Sequence, residues 1–367
     1  MPKYSGEPDF RHGQHTRIGV LLANLGSPDE ATTASVRRYL AEFLMDPRVV
    51  EVPRLLWRII LHGVILRIRP RRSAAAYQTV WEKEGSPLIR ISKDQMRGVA
   101  ERLQRRFGDH VAVDLAMRYG NPSVPDALAR LNQQNVRQLL VLPLYPQYSA
   151  VTSASTFDAV AAVFTHKRWI PELRMINQYH DHPGYIQALA RSVRDYWAEH
   201  GQGERLLLSF HGIPKRYLTN GDPYHCQCHK TARLLAAELQ LDDTQWAVAF
   251  QSRLGREEWL RPYTGDTVEQ WAKEGLQKID SLCPGFSADC LETLEEMVVE
   301  YGDLFKEHGG DELRYIPCLN DADAHLDFLT HLILENLEPW ASNIDALNSE
   351  TEREASNRRA KALDSPV

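Results

Sequence analysis

Glu204-Arg205-Leu206-Leu207-Leu208-Ser209-Phe210-His211-Gly212-Ile213-Pro214 is the stretch on which the fold turns. A short apolar run stops at Gly212 and Pro214, which predicts a strand over 204–210 with an imidazole at its carboxyl end. Runs of the same kind fall near 17–24, 111–118, 137–143 and 172–178, and again near 245–251, 277–282 and 313–317. Between them lie segments of helical period at about 33–44, 54–66, 90–107, 124–134, 150–164, 183–199, 227–240, 266–274, 288–306 and 322–337. Such alternation makes parallel sheets joined by crossover helices. The strands divide four and four, so the expected class is α/β, with two doubly wound domains, each a four-stranded parallel sheet flanked by helices.

The expected division is an N-terminal extension over 1–16, one domain over 17–180 and a second over 181–341, with the boundary near Asp181-His182-Pro183-Gly184. The tail 342–367, rich in Asn, Glu, Arg and Ser, is expected to be disordered. A chain of 367 residues suits roughly two domains. A net charge of −6 without a dense basic run excludes nucleic acid as the main partner. Five cysteines, an odd number, do not form a disulfide framework and fit a reducing compartment. Met1 to Thr16 lacks the apolar run of a secretory signal, and no stretch of about 18 apolar residues is present, so the expected location is cytoplasmic.

In open α/β sheets ligands lie beyond the carboxyl ends of the strands. His211 stands there, either as a catalytic base or as a turn histidine satisfied by a nearby carbonyl. A second signal is Cys283-Pro284-Gly285-Phe286-Ser287-Ala288-Asp289-Cys290-Leu291-Glu292-Thr293-Leu294-Glu295-Glu296. Glu292, Glu296 and Glu300 recur every fourth residue, so a helix would line them up, with no Lys or Arg over 283–304. Such a row is either a solvated face or a path for protons or a hydrated divalent cation. Asn24-Leu25-Gly26-Ser27-Pro28 lacks both the GxGxxG pattern and the Walker lysine, which disfavours nucleotide binding. Two further strand ends carry Arg118 and Tyr119, then Tyr148 and Ser149, aromatic rings beside polar groups that suit a flat, partly apolar ligand.

Taken in order, these segments resemble the ferrochelatases. The matching motifs are Leu-Ala-Asn-Leu-Gly-Ser-Pro (22–28), Gly-Ser-Pro-Leu (85–88), Met-Arg-Tyr (117–119), Leu-Tyr-Pro-Gln-Tyr-Ser (144–149), Ser-Phe-His-Gly-Ile-Pro (209–214), Gly-Asp-Pro-Tyr (221–224), Phe-Gln-Ser-Arg-Leu-Gly (250–255) with Trp259-Leu260, and the stretch from Cys283 to Glu296. The resemblance implies two Rossmann-like domains around a porphyrin cleft. It also implies insertion of Fe2+ into a porphyrin, protoporphyrin IX foremost, to give heme with release of two protons and no organic cofactor. On it, His211 and Glu292 are the catalytic pair, and Leu25, Arg118, Tyr119 and Trp259 line the cleft. Cys290 stands where many relatives carry a histidine. His211 then serves as base and Glu292 as proton acceptor or metal guide, and the expected metal-contacting residues are His211, Glu292, Glu296 and Glu300.

His225-Cys226-Gln227-Cys228-His229 packs four potential ligands together, but its cysteines are too close for a C-x2-C knuckle. Some relatives hold a [2Fe–2S] cluster, usually with cysteines in a C-terminal extension. No cysteine follows Cys318 here; Cys226, Cys228, Cys283 and Cys290 suffice in number, and ordinary reduced thiols are the expectation. Pro53 to Pro70 mixes Trp57, Leu and Ile with arginines. It is either a packed face or, as in relatives, part of a lip over the cleft at about 46–80, whose arginines pair with propionates or lipid phosphates; the expected peripheral contact with the inner face of a membrane is through 53–70. Competing functions are a chelatase for Co2+ or Ni2+ and a tetrapyrrole carrier without turnover.

Overall fold

A computed structural model describes residues 4–255 and 257–365. The first sheet contains β1 (Arg17–Asn24), β2 (Val111–Met117), β3 (Val136–Pro143) and β4 (Glu172–Met175), all parallel, in the order β2-β1-β3-β4. The second repeats it with β5 (Leu206–His211), β6 (Trp246–Gln251), β7 (Lys278–Leu282) and β8 (Glu312–Tyr315), in the order β6-β5-β7-β8. Both are doubly wound α/β sheets. In each sheet the chain leaves the first strand for one neighbour and later returns to the other, so a crevice opens beyond the carboxyl ends of β1 and β3, and of β5 and β7.

The helices are α1 (Thr33–Met45), α2 (Arg54–Ile60), α3 (Leu66–Val80), α4 (Pro87–Phe107), α5 (Val124–Gln133), α6 (Ser155–Phe164), α7 (Pro183–His200), α8 (Lys215–Thr219), α9 (Tyr224–Leu239), α10 (Thr264–Lys273), α11 (Tyr301–Glu307), α12 (Asp323–Leu347) and α13 (Glu350–Ala362). Ile18, Val20 and Leu22 of β1 share one buried cluster with Leu206, Leu208 and Phe210 of β5. The two sheets therefore lean on a common core. Helix α12 completes it by packing on α4, α7 and β3, where Gly98 leaves room for Leu326: a Cβ there would lie 2.5 Å from the leucine methyl.

Three expectations are corrected. The helix expected over 54–66 continues through a π-helical turn at Leu61–Ile65 into α3. The helix expected over 288–306 begins only at 291, and Glu292–Glu300 is a π-helix that passes into α11. Before it, the buried Thr293 hydroxyl bonds to the Cys290 N–H and the Asp289 carboxylate and holds residues 289–291 in a turn. The tail expected to be disordered is helical through Ala362. Composition alone misses its anchors: Asn348 bonds both the N–H and the carbonyl of Thr16 at 2.8 Å, Ser349 caps α13, and Arg353 reaches the Gly13 carbonyl at 2.7 Å.

Candidate active site at the strand ends

His211 is the last residue of β5 and is partly exposed. Its main-chain carbonyl accepts the Tyr224 hydroxyl at 3.0 Å, which fixes the backbone. Its Nδ1 lies 2.6 Å from the Gly212 carbonyl. A carbonyl only accepts, so Nδ1 carries the hydrogen in the neutral ring and Nε2 keeps its lone pair. Nε2 has no hydrogen-bond partner among the described residues. One nitrogen is thus satisfied by a turn carbonyl, as the second of the two sequence readings expects, and the other has no such partner. Gly212 is required by crowding, because a Cβ would sit 2.7 Å from the Gln251 carbonyl and 3.1 Å from the Trp259 ring. That contact brings Trp259 beside the histidine.

Across the ladder from His211 stands Gln251, a residue that sequence reasoning did not single out. It is 1 % exposed. Its Oε1 accepts the Ser209 hydroxyl at 2.7 Å, and its Nε2 donates to the Glu292 carbonyl at 2.8 Å and to Glu296 at 3.2 Å. The only sequence signal was its place inside the motif 250–255. Glu296 is taken up by neighbouring donors, whereas Glu300 is exposed. Burial, then the nearby glutamates, raise the carboxyls of Glu295 and Glu300 above the usual range, with Arg72 opposing.

Glu292 lies beneath α3. Its charge acts on Tyr39, Tyr77, Arg69 and the buried Cys290 thiol. Burial, then Glu292, push that thiol well up, so it stays protonated. Leu291 and Leu25, both partly buried, pack against the cluster that holds Leu66, Tyr77 and Tyr119.

In the first sheet, Gly26 has φ +106°, and a Cβ there would lie 1.8 Å from the Tyr119 carbonyl. The close approach lets Tyr119 N–H bond the Leu25 carbonyl at 2.9 Å and joins the loops after β1 and β2. Arg118 donates to Asp46 at 2.5 Å and to the Ser155 hydroxyl at 2.6 Å, and Tyr119, fully buried, donates to Asp46 at 2.8 Å. Burial opposes the ionised Asp46 carboxylate, yet the bonds from Ser155, Arg48 N–H and Tyr119 and the Arg118 charge together hold it below the usual range. Ser149 is buried and donates to Asp222 at 2.9 Å, and Tyr148 N–H donates to Gln227 at 2.7 Å. Leu25, Arg118, Tyr148 and Trp259 thus keep partial exposure at the strand ends, whereas Tyr119 and Ser149 support them from behind.

A family profile described as Ferrochelatase matches residues 17–337. The chain is 57 % identical over 340 residues to Ferrochelatase of Marinobacter nauticus, covering 93 % of this chain and 92 % of that one. Against Ferrochelatase of Thioalkalivibrio sulfidiphilus it is 53 % identical over 364 residues, covering 98 % and 99 %. The chain belongs to the ferrochelatase family. Its class is therefore that of a lyase, and its setting is heme biosynthesis. The solved structure titled SirB from Bacillus subtilis with Fe3+ shares the fold, with a TM-score of 0.51 at 11 % identity over 90 % of this chain and 98 % of that one.

All five cysteines are free thiols. Cys226 is exposed; Cys228 lies against Tyr224, Cys283 reaches toward Gln251 at 3.6 Å, and Cys290 faces Glu292. Among the described residues no three His, Cys, Asp or Glu side chains are grouped to hold a metal ion. His225 stacks on Phe250, with ring centroids 5.6 Å apart. From α2 to α3, Trp57 donates to the Leu44 carbonyl at 2.6 Å and Leu61 is fully buried, whereas Leu55 is 78 % and Ile68 70 % exposed. Among the described residues no helix is long and apolar enough to cross a membrane.

Proposed function

We propose that this ferrochelatase inserts Fe2+ into protoporphyrin IX, with the two pyrrole protons leaving by way of His211 and Glu292. The observation that carries the reading is the His211 tautomer: Nδ1 spent on the Gly212 carbonyl leaves Nε2 as a base at a strand end. The macrocycle lies between Leu25 and Tyr148 on one side and His211 and Trp259 on the other. Arg118, Tyr119 and Ser149 hold those walls rigid. Contacts along the ring periphery bend the macrocycle, so that a pyrrole nitrogen lone pair turns toward the incoming ion.

Nε2 takes a pyrrole proton, and Glu292 receives protons and passes them toward the exposed Glu300 and water. Iron is substrate here, so weak and exchangeable oxygen contacts serve it better than a closed cage, and no organic cofactor is required. The cysteines act as ordinary reduced thiols. The exposed leucines and isoleucines of the lip, set among arginines, support a peripheral contact of a cytoplasmic protein with the inner face of an anionic membrane.

An anaerobic absorbance assay with Fe2+, Co2+ and Ni2+ against protoporphyrin and coproporphyrin tests the reading. Rapid loss of the free-base protoporphyrin spectrum with Fe2+ is expected. Turnover confined to Co2+ or Ni2+, or binding without metallation, would reject it.

A further inference from the structure

We propose that Glu296 is a positioning residue: with Gln251 and Ser252 it clamps the π-helix to the end of β6, and so sets the Glu292 carboxylate relative to the His211 imidazole. The inference rests on the assignment of His211 and Glu292 as the proton-handling pair. Its place in the acidic row makes Glu296 look like an ion carrier. Its hydrogen bonds assign it a different task.

Oε1 of Glu296 accepts the Ser252 N–H at 2.7 Å and the Tyr301 hydroxyl at 2.9 Å. Oε2 accepts the Ser252 hydroxyl at 2.5 Å and Gln251 Nε2 at 3.2 Å. A carboxylate offers about four lone-pair directions, so a cation could bind only by breaking one of these bonds. Glu300, by contrast, accepts no hydrogen bond from a described side chain and is exposed.

Ser252 has φ +64°, a conformation that disfavours residues with a Cβ, and its two bonds to Glu296 hold it there. Gln251 closes the circuit. Its backbone pairs with His211, its carbonyl accepts the Gly212 N–H at 2.8 Å, and its side chain reaches both Glu292 and Glu296. The π-helix therefore cannot shift away from β5 and β6 without breaking these partly buried hydrogen bonds.

The test uses the purified full chain: anaerobic kinetics with Fe2+ and porphyrin varied separately, and amide hydrogen exchange over 292–300 without substrates. In Glu296→Gln an NH2 group meets donors in place of an acceptor. Because a misplacement of about 1 Å can cost about 10²-fold, kcat should fall roughly 10- to 100-fold while the KM for Fe2+ stays within about twofold of the parent. Exchange over 292–300 should quicken. Ser252→Ala removes one donor and should shift both readouts the same way by less, and it decides the matter if Glu296→Gln does not fold. A rise of roughly tenfold in the KM for Fe2+ at near-parental kcat, or parental exchange, would overturn the clamp. Near-parental turnover in Glu292→Gln would instead reject the underlying pair, and the exchange result would still judge the clamp.

Discussion

The side-chain amide of Gln251 donates to the main-chain carbonyl of Glu292 at 2.8 Å, while the Gln251 backbone lies opposite His211 in the β5–β6 ladder. One buried residue thus ties the proposed base to the proposed carboxylate. Neither needs a long flexible reach to meet a flat substrate, and preorganisation of this kind is what a reaction with little covalent chemistry requires.

His211→Ala should lower turnover by about 10²- to 10⁴-fold, as loss of a general base commonly does. The ring's hydrogen bond is local, to Gly212, so the melting temperature and porphyrin binding should stay near parental. Anaerobic turnover and fluorescence titration with free-base porphyrin check both halves.

Along the π-helix, Glu292→Gln should reduce kcat severely, because an amide accepts no proton at neutral pH. The exposed Glu300 should matter less, and Glu300→Gln should raise mainly the KM for Fe2+. Equal, near-parental kinetics in both variants would remove the proton path.

Glu295 couples the acidic helix to stability. Its carboxyl is raised by burial, then by Glu300 and Glu296. A raised carboxyl contributes stability that is full below the unfolded value of about 4.3 and is lost as pH rises through the folded value. Glu295→Gln should therefore be at least as stable as the parent at pH 7, with the gain vanishing near pH 4. Urea titrations at the two pH values measure it.

In α2, replacing Leu55, Leu56 and Ile59 by serine should weaken co-sedimentation with anionic vesicles at unchanged melting temperature, since all three are exposed. Trp57→Ser or Leu61→Ser should cost stability instead, because Leu61 is fully buried and the partly buried Trp57 packs on the same cluster and bonds the Leu44 carbonyl. Unchanged vesicle binding by the triple variant would move the membrane contact elsewhere.

Gly26→Ala should destabilise by about 2 to 4 kcal/mol, through both a left-handed backbone and a clash with the Tyr119 carbonyl. Denaturant unfolding reads the loss. A cost below about 0.5 kcal/mol, the range of ordinary surface substitutions, would mean that the Leu25 and Tyr119 loops part easily.

Sequence alone determined the eight strands and their parallel arrangement, because apolar runs and helical periods are local properties that survive without knowledge of neighbours. It also put His211 at a strand end, since Gly212 and Pro214 stop the strand beside it. What it could not determine is which groups are spent. The spacing of Glu292, Glu296 and Glu300 indicates a shared helix side, but the donors that occupy Glu296 include Gln251, 45 residues away in the chain. Likewise, the arginines and leucines of 53–70 do not reveal that Trp57 and Leu61 turn inward, and a polar tail does not reveal that Asn348 will meet Thr16, 332 residues away. Local pattern determines the elements. Long-range hydrogen bonds and burial decide which side chains on them remain free to do chemistry, and only the tertiary structure brings those partners together.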